Sequence, residues 1–180
     1  LDAEFTFVNQ RLAKHYGLDA VKRVGFQRVS LKDTPRAGVL THASILAVTS
    51  NPTRTSPVKR GKFVLDNILG SPPPPPPANV PLLEETSRQL SGTLRQQLEQ
   101  HREDPACAAC HKLMDPIGYA HENYAAIGGH RPRYDAADAA ADASGQRFDG
   151  TDFETAADFR SQYLKHDERI VHPATEKMLT

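Results

Sequence analysis

Apolar residues in this chain recur mainly at spacings of three and four, the period of a helix with one buried face. Phe5, Val8, Leu12 and Tyr16 fall on one such stripe and Gly17 follows, which predicts a helix over residues 5–16 with a glycine just past its end. Residues 24–31 (VGFQRVSL) read as extended, closed by a turn at Asp33, Thr34 and Pro35. Residues 37–48 (AGVLTHASILAV) are apolar with small residues interspersed and fit a buried helix, carrying His42, better than a strand. Ser56 before Pro57 is an N-cap with proline in the first helical position, so a helix is predicted from there to about Leu69, with Gly70 after it. Leu83, Leu90, Leu94 and Leu98 give residues 82–103 the longest helical pattern, weakened at Gly92. Asp104 is placed to cap a helix that starts at Pro105.

Asp115–Pro116 is expected to break that helix, because proline lacks the backbone N–H and clashes with the preceding turn. A second helix is expected over residues 119–126, ended by Gly128–Gly129. Residues 131–150 read as a long loop with a two-stranded ribbon near 133–134 and 146–148, and residues 153–164 and 170–179 as closing helices. Six consecutive prolines, Pro72 to Pro77, exclude helix and central strand and predict a short polyproline II rod. The chain then divides into an N-terminal helical region (1–71), a polyproline linker (72–81), a central region (82–130), and a loop with closing helices (131–180) that reads as truncated.

Chemistry concentrates at one place. The only two cysteines, Cys107 and Cys110, stand three apart, and His111 follows at once. Cys-x-x-Cys-His is the attachment pattern of a c-type haem, in which the thiols bond the porphyrin and the histidine supplies an axial nitrogen. The carbonyls freed near Met114 to Pro116 are expected to fix His111 through Nδ1 and leave Nε2 for iron. Met114 lies three residues on, shares the face of His111, and is therefore unsuited to the opposite axial position. Candidates for the sixth ligand are His15, His42, His101 and Met178. Arg54, Lys59 and Arg60 form a basic cluster suited to pairing with haem propionates, while Pro116 and Tyr119 are placed to pack near the porphyrin. The fold class this implies is mostly α: a helical, cytochrome-c-like haem domain with additional N-terminal helices that cover the distal face.

Lys plus Arg and Asp plus Glu both number 22, so no whole-chain field favours nucleic acid or an anionic membrane. No apolar run approaches a membrane span. Zinc would need two more ligands converging on the thiols, such as His101 and His111. A redox dithiol would expect a thioredoxin-like βαβ context, which the pattern lacks, and the aspartates of 131–150 match no calcium-loop spacing.

The segments TSNPTRTSPVKRGKFVLDNILG and HREDPACAACHKLMDPIGYAHENYAAIG, joined by the proline run, resemble adjoining domains of unknown function (DUF1592, DUF1588 and DUF1585) in large secreted, cytochrome-c-containing planctomycete and verrucomicrobial proteins. The opening EFTFVNQRLAKHYG is similar to the end of the preceding domain of that series, and TEKMLT to the start of its closing segment. The resemblance implies a covalent haem c, one per chain, on Cys107, Cys110 and His111, and puts Arg54, Lys59 and Arg60 in the family core. It also implies that His15 and His101 have family counterparts, and that isoleucine and leucine are tolerated at the positions of Met114 and Met178. The function expected is single-electron transfer to or from a redox partner or an attached catalytic domain, in the periplasm or outside the cell. A haem peroxidase with an open distal site, served by His42 or Glu122 as acid–base group, and a haem-stabilised interaction domain are the alternatives.

Overall fold

The computed structural model describes residues 1–18, 21–22, 24–75, 93–134, 139–147, 149–165, 173 and 175. The stretch 5–16 divides into strand β1 (Phe5–Val8) and helix α1 (Gln10–Tyr16), where one helix was expected. In β1 Thr6 and Val8 are buried while Phe5 and Phe7 are exposed, a period of two rather than of 3.6. The cause is a distant partner. Strand β2 (Gln27–Ser30) pairs antiparallel with β1, Phe5 opposite Ser30 and Val8 opposite Gln27, in the segment expected to be extended. Asn9 then opens α1 by accepting a hydrogen bond from the Leu12 N–H, and Gly17 closes it in the left-handed region at φ 73°.

Residues 37–48 are not one helix either. A 3₁₀ turn (Val39–Thr41) and helix α2 (Ala43–Val48) meet at His42, whose backbone is extended. Two buried side chains impose the break. The Thr41 hydroxyl folds back onto the Ala37 and Gly38 carbonyls, and the Arg36 guanidinium takes the Thr41 carbonyl at 2.7 Å, so that carbonyl is not left for a helical N–H.

Helix α3 (Pro57–Phe63) starts as its sequence requires, with the Ser56 hydroxyl accepting from the Lys59 N–H. It runs into a wider π turn over Val64–Ile68, and Gly70 is left-handed at φ 58°. Pro72–Pro75 form neither helix nor strand. The rest of the linker, and residues 82–92 of the expected long helix, lie outside the described residues. Helix α4 (Leu94–His101) comes next, closed at its start by a reciprocal Thr93–Gln96 capping box.

Helix α5 (Pro105–Tyr119) carries the Cys-x-x-Cys-His motif and continues through Pro116, against expectation. An interior proline costs about 3 kcal/mol in a free helix. Here Met114, Ile117 and Tyr119 are buried on both sides of it, so tertiary burial holds the helix where local preference opposes it. The expected second helix over 119–126 is instead a series of turns, tied by bonds such as His121 N–H to Gly118 O and Tyr124 N–H to His121 O.

The core sits between α3, α5 and α6 (Ala156–Leu164), where Val64, Leu65, Met114, Ile117 and Phe159 pack together. α3 and α5 cross almost backbone to backbone. A Cβ on Gly61 would lie 1.9 Å from the Met114 carbonyl oxygen, and one on Gly118 would lie 2.0 Å from that of Pro57. In the C-terminal part, β3 (Gly145–Gln146) pairs antiparallel with β4 (Asp152–Phe153), and Arg133 bridges to Ala140 rather than to residues 146–148. α6, capped by Thr155 and Asp158, answers to the first predicted closing helix. The second falls outside the described residues except for 173 and 175. The described chain is predominantly helical, and none of its helices is long and apolar enough to cross a membrane.

Candidate haem-attachment site

At about 100° per residue, Cys107, Cys110 and His111 project from α5 within an arc of about 100°. Both thiols are free and half-buried. Further along the same face α5 lies on α3, so the two cysteines stand just past the end of that contact. The start of the proline run passes there, with the Pro74 carbonyl oxygen 3.8 Å from Cys110 Sγ. Burial raises the Cys107 thiol above its ordinary range, and Asp104 and then Cys110 add to the effect.

His111 Nδ1 lies 2.9 and 3.1 Å from the two carboxylate oxygens of Asp115, whose side chain is fully buried. A carboxylate only accepts, so in the neutral ring the proton sits on Nδ1 and Nε2 keeps its lone pair. The orienting group is thus a side chain one turn on, not a carbonyl freed by Pro116. The helix that persists through Pro116 makes this possible, because it sets residues 111 and 115 one above the other. The His101 ring meets His111 edge-on, with centroids 4.9 Å apart. Burial lowers the His101 pKa, and the neighbouring His111 lowers it further against the opposing carboxylates.

Residues 36–134 match the family PSCyt3, described as a protein of unknown function (DUF1588). The chain belongs to this family. No curated protein and no solved structure matches it. The PSCyt3 span takes in α2 to α5, the proline run, the Cys-x-x-Cys-His motif and the turns after it; β1, α1 and β2 precede it, and β3, β4 and α6 come later.

Within the PSCyt3 span the basic cluster divides. Arg60 is buried, and donates to the carbonyls of His121 (2.7 Å), Tyr124 (3.0 Å) and Ala125 (3.0 Å), with the Glu122 carboxylate 3.6 Å away. It ties α3 to the turns after α5. Burial lowers its pKa to about 10, which leaves it a cation at neutral pH. Glu122 also accepts from Thr55 and pairs with Arg131, while burial pushes its carboxyl upward against the pull of both arginines. Arg54 donates to the Thr55 carbonyl at 3.3 Å, and Lys59 to Asn51 Oδ1.

The sixth-ligand candidates also part company. His42 Nε2 lies 3.4 Å from the Thr6 hydroxyl, and His15 Nε2 donates to the Ile127 carbonyl at 2.8 Å. His101 is beside His111, and Met178 lies outside the described residues. Pro116 and Tyr119 project from the side of α5 opposite the thiols. There they line a cavity of about 670 Å³ together with Arg95, Arg102, Lys112 and Arg147. Two features escaped sequence reasoning. Asp115 was legible as the fourth residue after His111, but the following proline argued against a helix there. The four cations come from α4, α5 and the end of β3, and nothing in their spacing announces that they converge.

Proposed function

We propose that the chain is a c-type cytochrome domain that holds one haem through Cys107 and Cys110, with His111 as axial ligand. The observation that carries the reading is the pairing of His111 Nδ1 with a buried carboxylate, on the helix face that also presents two free thiols. Two free thiols and one oriented imidazole on one helix face suit a group that brings four nitrogens of its own and needs two thioether links and one imidazole. Haem c would supply a one-electron couple at iron.

The chain's residues do the rest. Asp115 orients the His111 ring and makes it a stronger donor. The opposite axial position stays unassigned: the His101 ring meets that of His111 directly, with no space for a porphyrin between the two, His15 and His42 bond other groups, and Met178 lies outside the described residues. The guanidinium of Arg60 is spent on interior carbonyls, so the propionate role proposed for the basic cluster narrows to Arg54 and Lys59, which are less buried. A cytochrome-like arrangement of the helices around residues 80–130 belongs to the same proposal. So do a redox partner or attached catalytic domain as electron donor or acceptor, and a periplasmic or extracellular location, because haem c attachment is completed outside the cytoplasm.

Absorption spectra of protein produced with haem c maturation test this reading. Low-spin bands, oxidised and reduced, that carbon monoxide leaves unchanged are the expected result for an electron carrier with two firm axial ligands. High-spin iron or prompt carbon monoxide binding would overturn electron transfer in favour of peroxide chemistry.

A further inference from the structure

The haem reading makes no use of the cavity on the other side of α5. It is lined by Arg95 and Arg102 of α4 and its cap, by Lys112, Leu113, Pro116 and Tyr119 of α5, and by Arg147 just after β3. About 670 Å³ is within the range of small-molecule sites. The cations are not equivalent. Arg95 is held by Glu99 at 3.2 Å and Asp142 at 2.8 Å, with its guanidinium 4.4 Å over the Tyr119 ring, and Arg147 is paired with Asp149 at 3.0 Å. Arg102 and Lys112 have no carboxylate partner among the described residues.

The Tyr119 ring lies under the Arg95 guanidinium in the wall, and its hydroxyl is buried with no hydrogen-bond partner among the described residues, closed to anything held in the cavity. What the cavity offers a ligand is the pair Arg102 and Lys112. Leu113, Pro116 and Ala109 give the wall an apolar stretch beside these polar groups.

We propose that this cavity binds a small organic anion, with a carboxylate or phosphate head between Arg102 and Lys112 and an apolar or planar body against Leu113 and Pro116. The site shares only helix α5 with the haem motif and stands whether or not the haem reading does.

Equilibrium dialysis of the haem-matured full chain against benzoate and phenyl phosphate, with neutral benzamide as control, tests it. Saturable binding of at least one anion and none of benzamide is expected, and the stronger of the two anions identifies the head group. R102Q/K112Q should weaken that binding about tenfold or more. Three results would each overturn the proposal: no binding of either anion, equal binding of benzamide, or anion binding that survives R102Q/K112Q unchanged. Because the readout is ligand binding and not spectrum, a failure here leaves the haem reading standing, and a chain without haem that binds the anion would separate the two in the other direction.

Discussion

Asp115 illustrates how one side chain sets the chemistry of another. Its buried carboxylate fixes the His111 ring and leaves Nε2 as the free nitrogen. In the haem-loaded protein, D115N should keep the ring oriented but remove the charge that enriches the imidazole. The reduction potential should then rise by on the order of 60 mV, the equivalent of tenfold for a one-electron couple. A redox titration in which D115N matches the parent would detach Asp115 from the iron site. The pattern His-x-x-x-Asp was present in the sequence, but only a continuous helix gives it meaning, and the continuity was the part that local rules denied.

His121 carries a different residue-scale consequence. It is fully enclosed, its Nδ1–H bonds the Ile117 carbonyl at 3.1 Å, and burial, helped by Arg60, lowers its pKa to about 4. The unfolded chain takes up this proton as pH falls through about 6.5, whereas the folded chain does so only near 4. Its contribution is therefore fully present above about pH 6.5 and is lost as pH falls from there to about 4, in total on the order of 3 kcal/mol. Glu122, raised by burial, works in the opposite sense at the acid end. Urea unfolding midpoints measured across this window should fall with acid in the parent and fall less steeply in H121Q. Parallel curves would show that His121 does not carry the effect.

At the scale of elements, the crossing of α3 and α5 dominates. Gly61 and Gly118 let the two backbones touch, and a methyl group at either would meet a carbonyl oxygen of the other helix. G61A should destabilise the fold by roughly 3 kcal/mol or more, because the obstacle is main chain and cannot swing aside. Denaturant titration checks this, and a variant as stable as the parent would mean that the helices do not approach so closely.

The elements that were legible in the sequence are those whose signals are local. Ser56–Pro57 gave the start of α3, Gly17 the end of α1, and Asp33–Thr34–Pro35 the turn after β2. The elements misread are those decided by partners far along the chain. β1 is a strand because residues 27–30 lie beside it, and the helix 37–48 is broken because Arg36 and Thr41 claim its carbonyls. α5 survives Pro116 because α3 covers one face of it. Arg60 was misread for the same reason: it looks like surface charge in sequence and is an interior clamp in the fold.

At the scale of the whole molecule, α5 stands between two unlike sites. One face presents thiols and an oriented imidazole. The other presents cations around a cavity. The family match runs from Arg36 to Tyr134, so the whole of α5, with both its faces, lies within the PSCyt3 unit. Net charge is zero, and the cations around the second cavity are therefore a local concentration rather than part of a general basic surface.

The measurement that bears most directly on the central claim is the intact mass of the protein after expression with haem c maturation and denaturation. The account predicts a gain of one haem per chain that survives unfolding, maps to the peptide bearing Cys107 and Cys110, and disappears in C107A/C110A. An unmodified mass with two free thiols, in cells that mature a known cytochrome c normally, would contradict it.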